Sequence, residues 1–189
     1  MPSEVGTMRI MSPWRVIGWG LAVAIILAPL MAMQLGATGV VWTLSDFIFA
    51  IVLIGAVGLL FELGVRASKS WPYRAGVGLA LATSFLLVWI NGAVGIIGNE
   101  DNPANFVFLA VILMAIAGAI VSGGKAMLMA RAMTVAGVTQ VLVGLAVFAF
   151  NDGAQPPGRL GLLILIEILA AMWLGSAWLF RKAAAGTAR

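Results

Sequence analysis

The sequence predicts an all-α polytopic membrane protein, a six-helix transmembrane bundle in a single domain, and three observations carry that prediction. Apolar residues fill 62% of the 189 positions and charged residues only 10%, against roughly half and a quarter in a soluble domain. The mean hydropathy of +1.10 is spread along the whole length. Several apolar runs also have the roughly 17 to 25 residues that carry a helix across a hydrocarbon core about 30 Å thick. A closed β-barrel, the other spanning solution, needs apolar and polar residues to alternate. Runs such as Ile51-Val52-Leu53-Ile54 and Ile164-Leu165-Ile166 do not alternate.

Apolar runs bounded by charge, Gly or Pro place the six spans near 16–34, 46–65, 73–97, 106–121, 132–150 and 160–180. Span one follows Arg9 and Arg15 and has two readings, a retained helix or a signal peptide. Its apolar length and its Met31-Ala32-Met33-Gln34 end, without a small-residue cleavage pair, favour retention. Cleavage would leave five spans and an external N-terminus. Span two opens at Asp46, where helix capping explains the acid, and closes with Glu62 one turn before Arg66, an i,i+4 pair reaching toward the interface. Span three is expected to end at Gly98. Span four is the shortest and stops at Ser122-Gly123-Gly124-Lys125, so it stands nearly upright or is prolonged by a turn. Small residues recur every four positions in span one (Gly20, Ala24, Ala28), span three (Gly76, Ala80, Ser84) and span six (Ala171, Gly175), which lets helix backbones approach. Pro29, Gly92 and Gly95 are possible kink points.

Orientation follows from the basic residues. Arg9, Arg15, Arg66, Lys69, Arg74, Lys125, Arg131, Arg181, Lys182 and Arg189 all fall on one side of the predicted topology, and Arg159 alone on the other, beside Asp46, Glu100, Asp101 and Asp152. The positive-inside bias therefore places both termini in the cytoplasm of a bacterial-type inner membrane. Trp14, Trp71, Tyr73 and Trp178 are then expected as anchors at the inner interface and Trp42 at the outer one.

Two missing residue types limit the chemistry. With no Cys there is no disulfide, thiolate metal site, iron-sulfur cluster or thiol nucleophile, and with no His the imidazole-based metal sites and Ser-His hydrolysis are lost. An intramembrane aspartyl dyad needs two Asp residues at depth, and only Asp46 touches a span. No Gly-rich phosphate loop is visible. No enzyme activity, cofactor or metal is expected. The pI near 10.4 does not indicate nucleic acid, because the basic residues are scattered singly between apolar segments.

The outer loops 99–105 and 151–158 both begin with Asn and an acid and hold Pro a few residues on, with Gly92 and Gly144 in the preceding helices. That pattern suits three helical hairpins, and a three-plus-three inverted repeat fits the span count equally well. The stretch Tyr73-Arg74-Ala75-Gly76-Val77, the segment Val88 to Asn105 with its AVGIIGNEDNPAN core, and the closing Trp173 to Arg181 together resemble a group of small, uncharacterised proteobacterial inner-membrane proteins. The resemblance covers about a third of the chain. It implies an inner-membrane location and carries no activity, substrate or site residue.

Two groups of residues are candidate sites. In the outer loop 99–105, Glu100, Asp101, Asn102 and Asn105 offer oxygen ligands of the kind calcium accepts, though their spacing matches no calcium loop. The competing reading is structural: Asn102 caps helix four with Pro103 in its first turn. Within the spans, Glu167 lies roughly 10 to 12 Å in from the outer end of span six. A charged carboxyl at depth costs up to a few kcal/mol, so it should face the bundle interior in neutral form. Asn91 falls at nearly the same depth, Gln140 is near mid-membrane, and Thr83, Ser84, Thr134 and Thr139 lie deeper, so one interior polar seam is expected. Such a seam serves either as glue between helices, at about 0.6 kcal/mol per hydrogen bond, or as the protonatable site of a transporter. The sequence thus points to a non-catalytic accessory or structural membrane protein, in contact with lipid and with other membrane proteins or its own copies. The alternative is a small proton-coupled transporter or channel using Glu167, Asn91 and Gln140.

Overall fold

The computed structural model describes residues 13–151, 153 and 157–186. Arg9, Asp152, Arg189 and the side chain of Trp14 lie outside the described residues. Six long helices follow in order: α1 (Pro13–Gln34), α2 (Leu44–Ala67), α3 (Trp71–Ala93), α4 (Phe106–Ser122), α5 (Ala126–Phe150) and α6 (Gly158–Gly186), with a 3-10 turn at Pro103–Asn105 leading into α4. There is no strand among the described residues. All six are long and apolar enough to cross a membrane, which makes the chain a multi-pass membrane protein.

The chain divides into two compact units, one ending at Gly58 and the other starting at Leu59. In the first, Thr43 precedes α2 and presents both its N–H and its hydroxyl to Asp46 Oδ2, at 2.7 and 2.8 Å. Asp46 thus reaches back to the residue before the helix, as the third residue of a capping box does. The helix begins two residues before the predicted start at 46. The Trp19 ring lies over Gly58, where a Cβ would come within 2.9 Å of it. Gly20 has nothing within 4 Å of its missing Cβ, so the small-residue stripe of α1 is not closed against another helix there.

In the second unit α5 and α6 form the most extensive pairing; α3 packs on α6, and α4 packs on α5. Although α3 and α4 are consecutive in the chain, they meet through few residues, and each finds its main partner elsewhere. Glycines set these approaches. Gly137 lies against Trp173 and Leu174, and Gly144 against Ile166 and Glu167, which fixes an antiparallel register for α5 and α6. Gly76 receives the Phe180 ring, Gly175 receives Leu79, and Ser176 Oγ donates to the Gly76 carbonyl at 2.7 Å. Here Gly76 of the predicted span-three stripe and Gly175 of the span-six stripe pack internally, while Ala171 is exposed. In lipid the tails are as apolar as the side chains, so close backbone approach and such hydrogen bonds hold helices together. Leu87, Phe108, Met133, Ile166, Leu169, Trp173 and Phe180 fill the core.

Three boundaries, the end of α3, the start of α5 and the end of α6, depart from the prediction by more than a turn's worth of residues. Helix α3 ends at Ala93, not near 97, because the backbone turns left-handed at Gly95 (φ +71°). There a Cβ would collide with the backbone of Asn99 and Glu100. Gly98 (φ +77°) shapes the loop and does not end the helix. Helix α5 starts at Ala126, six residues before the predicted 132, so Arg131 belongs to the helix and not to a loop. Helix α6 continues past Arg181 and Lys182 to Gly186. In both cases charge was taken as the end of the helix, whereas Arg and Lys only mark where its surface meets water. Between α4 and α5 the chain turns in three residues, with Gly123 and Gly124 both left-handed.

The expected aromatic anchors divide. Trp71 and Trp178 are 77% and 59% exposed, and Trp42 leans on Phe47 at 5.2 Å between centroids. Tyr73 departs from the prediction: it is buried, donates its hydroxyl to the Gly124 carbonyl at 3.0 Å and meets Phe180 edge-on at 5.1 Å. A phenol with a backbone acceptor within reach gains more from that bond than from the interface. Tyr73 therefore ties α3, the α4–α5 turn and α6 together at one end of the unit.

Candidate functional site

The α3–α4 loop is organised by Asn105. Its Oδ1 accepts from the N–H groups of Ile96 and Ile97 at 3.2 and 2.8 Å, and its Nδ2 donates to the carbonyls of Asn99 and Ile97 at 2.7 and 3.4 Å. Because α3 ends early, those amides have left the helix and need an outside acceptor. Asn102 Oδ1 accepts from Ala104 N–H at 3.0 Å and caps the 3-10 turn with Pro103 at its first position, so its cap sits on that turn and not on α4 itself, which begins at Phe106. The two amide oxygens offered as metal ligands are thus held by the loop's own backbone, while Glu100 and Asp101 are exposed. Among the described residues no three acids converge.

Asn91 belongs to the same loop by its contacts, its Oδ1 accepting from Ile96 N–H at 3.4 Å. The other expected members of the seam are satisfied locally. Thr83, Ser84 and Thr134 each donate to the carbonyl four residues earlier, at 2.8, 3.0 and 2.8 Å, and Thr139 reaches Met114 Sδ on α4 at 3.7 Å. A hydroxyl in a helix has that carbonyl always at hand, so depth alone does not link such residues into a network.

What remains is a smaller group on α5 and α6. Gln140 is fully buried, and neither its Oε1 nor its Nε2 has a hydrogen-bond partner. The buried Oε1 of Glu167 is likewise unpartnered. Gln140 stands four residues before Gly144, where a Cβ would collide with the Glu167 carboxyl, and three residues after Gly137, which faces Trp173. Helical spacing puts all three positions on the face of α5 that packs on α6, so Gln140 lies between the levels of Glu167 and Trp173. Trp173 is only 1% exposed and its Nε1 has no partner either. Buried polar atoms almost always find a partner, and four unpartnered ones on a single helix pair set this region apart. Trp173 was not singled out in the sequence; an indole inside an apolar run looks like any other core side chain.

This group offers a carboxyl able to take up and release a proton, an amide that both donates and accepts, and an indole donor. It contains no nucleophile paired with a base, and covalent chemistry has no basis in it. Comparison with protein family models, curated proteins and solved structures gives no match to this chain.

Proposed function

We propose that this chain is a non-catalytic accessory or structural protein of a bacterial inner membrane, with both termini in the cytoplasm, acting by association with other membrane proteins or with further copies of itself. The observation that carries this reading lies within the first unit, where the described side chains of α1 include no buried one and those of α2 only Ala50, while in the second unit the polar side chains Thr83, Ser84 and Asn91 of α3 are spent on the protein's own backbone. Unused apolar helix surface with an open small-residue stripe suits helix association in lipid. The ten basic residues on one side of the topology support the orientation, and the resemblance of the 88–105 segment to proteobacterial inner-membrane proteins supports the location.

A second reading, a small proton-coupled transporter or channel, is favoured by the unpartnered Gln140 amide and Glu167 Oε1. Intramembrane ionisable residues mark proton and solute pathways often enough that Glu167 is its natural centre. One experiment separates the two: mild solubilisation of the tagged protein from its native membrane, native gel separation and mass spectrometry of the band. A stoichiometric membrane partner or a homo-oligomer is the expected result. A lone monomer overturns the first reading, and flux assays on Glu167→Gln then test the second, where loss of transport with folding intact is expected and unchanged flux removes Glu167 from the mechanism.

A further inference from the structure

We infer that the end of the bundle carrying the α5 N-terminus and the α6 C-terminus holds a site for the phosphate of an anionic phospholipid, formed by Arg131, Arg181 and Lys182 beside Trp178. The α5–α6 register set by Gly137 and Gly144, continued along the antiparallel pair, brings Arg131 level with Leu179 and Phe180, next to Arg181. Arg181 Nη2 donates to Thr134 Oγ1 on α5 at 3.2 Å. Arg131 is three residues from Thr134 on the same side of that helix. Two guanidinium groups on different helices are thereby drawn to one stretch of α5, and Lys182 adds a third cation whose Nζ lies 5.2 Å from the centre of the Trp178 ring.

Among the described residues no carboxylate pairs with any of the three; Glu62 is held by Arg66 at 3.0 Å. Like charges gathered without a counter-ion repel one another, and an anion supplied from outside removes that cost. After the bond to Thr134, Arg181 keeps N–H donors free, and a guanidinium fork matches phosphate oxygens in geometry as well as charge. A lipid is chosen over a soluble phosphate because of what adjoins the cations. Leu174, Trp178 and Lys182 follow each other at four-residue spacing, and the first two are exposed, so an apolar strip runs from the charged end along α6 where acyl chains would lie. The indole belongs at that boundary between headgroup and chain.

The test is native mass spectrometry of the full chain extracted from vesicles of equal parts phosphatidylglycerol and phosphatidylcholine, comparing wild type with an Arg131→Gln/Arg181→Gln variant and a charge-retaining Arg131→Lys/Arg181→Lys variant. Wild type is expected to retain phosphatidylglycerol preferentially. The Gln variant should lose that preference by roughly fivefold per removed charge, and the Lys variant should keep most of it. Equal retention of both lipids by wild type, or an undiminished preference in the Gln variant, overturns the proposal. Displacement of the retained lipid by millimolar inorganic phosphate overturns it as well, since the strip along α6 would then contribute nothing.

Discussion

The α3–α4 loop and the α5–α6 seam hold comparable polar side chains and treat them oppositely. In the loop, one buried amide, Asn105, meets four backbone groups, and its oxygen and nitrogen are both engaged. In the seam, the equally buried amide of Gln140 meets none. The difference is one of backbone. Where a helix stops early at Ala93 it releases N–H and C=O groups that a side chain can satisfy, whereas an intact helix has its N–H groups already paired and offers only a second bond to a carbonyl, as Gly76 does to the Ser176 hydroxyl, so an amide oxygen finds no donor there. A polar residue in a loop of a membrane protein is therefore readily structural, while an amide between regular helices has its oxygen satisfied only if another side chain answers it.

Substitutions sharpen this comparison. The largest effect is expected for Asn105→Leu, which leaves the buried amides of Ile96 and Ile97 without an acceptor at a cost of about 1–3 kcal/mol each. A clear fall in Tm of the detergent-solubilised protein is the measurement. Asn105→Asp keeps the acceptor oxygens and should fall less; equal losses in the two variants would mean that the bonds from Nδ2 hold the loop instead. Gln140→Leu should move the other way, raising stability by about 1 kcal/mol, since it removes an amide buried without partners and keeps the volume nearly constant. A loss of stability would show that the amide is answered in the membrane, by water or a solute, and would favour the transport reading. Trp173→Phe should do least: Nε1 has no bond to lose, and the cost is that of reduced packing, about 1 kcal/mol. A larger drop in Tm would break the comparison at that residue by revealing a partner for the indole.

Much of the architecture is legible from composition and charge, because the bilayer imposes it. Backbone groups in hydrocarbon must pair within the segment, so an apolar run of sufficient length is a helix, and the six observed helices overlap the six predicted runs. The ends were less legible. Arg131, Arg181 and Lys182 marked the water boundary and not the helix boundary, and the end of α3 depended on whether Gly95 or Gly98 turned first, a choice decided by the bonds Asn105 makes across the loop.

The candidate site divided along the same line. The sequence by itself determined that Glu167 and Gln140 lie within the apolar spans, since depth follows from counting residues at a fixed rise. Only the tertiary structure decided that Asn91 serves the loop, that the Thr83, Ser84 and Thr134 hydroxyls turn back on their own helices, and that Trp173 joins Gln140 and Glu167 at the α5–α6 contact. Depth is a property of position along one helix, whereas partnership depends on the rotation of two helices about their axes and on how closely they approach. Here that is set by Gly137 and Gly144, residues whose part in the arrangement shows only when their neighbours are in place.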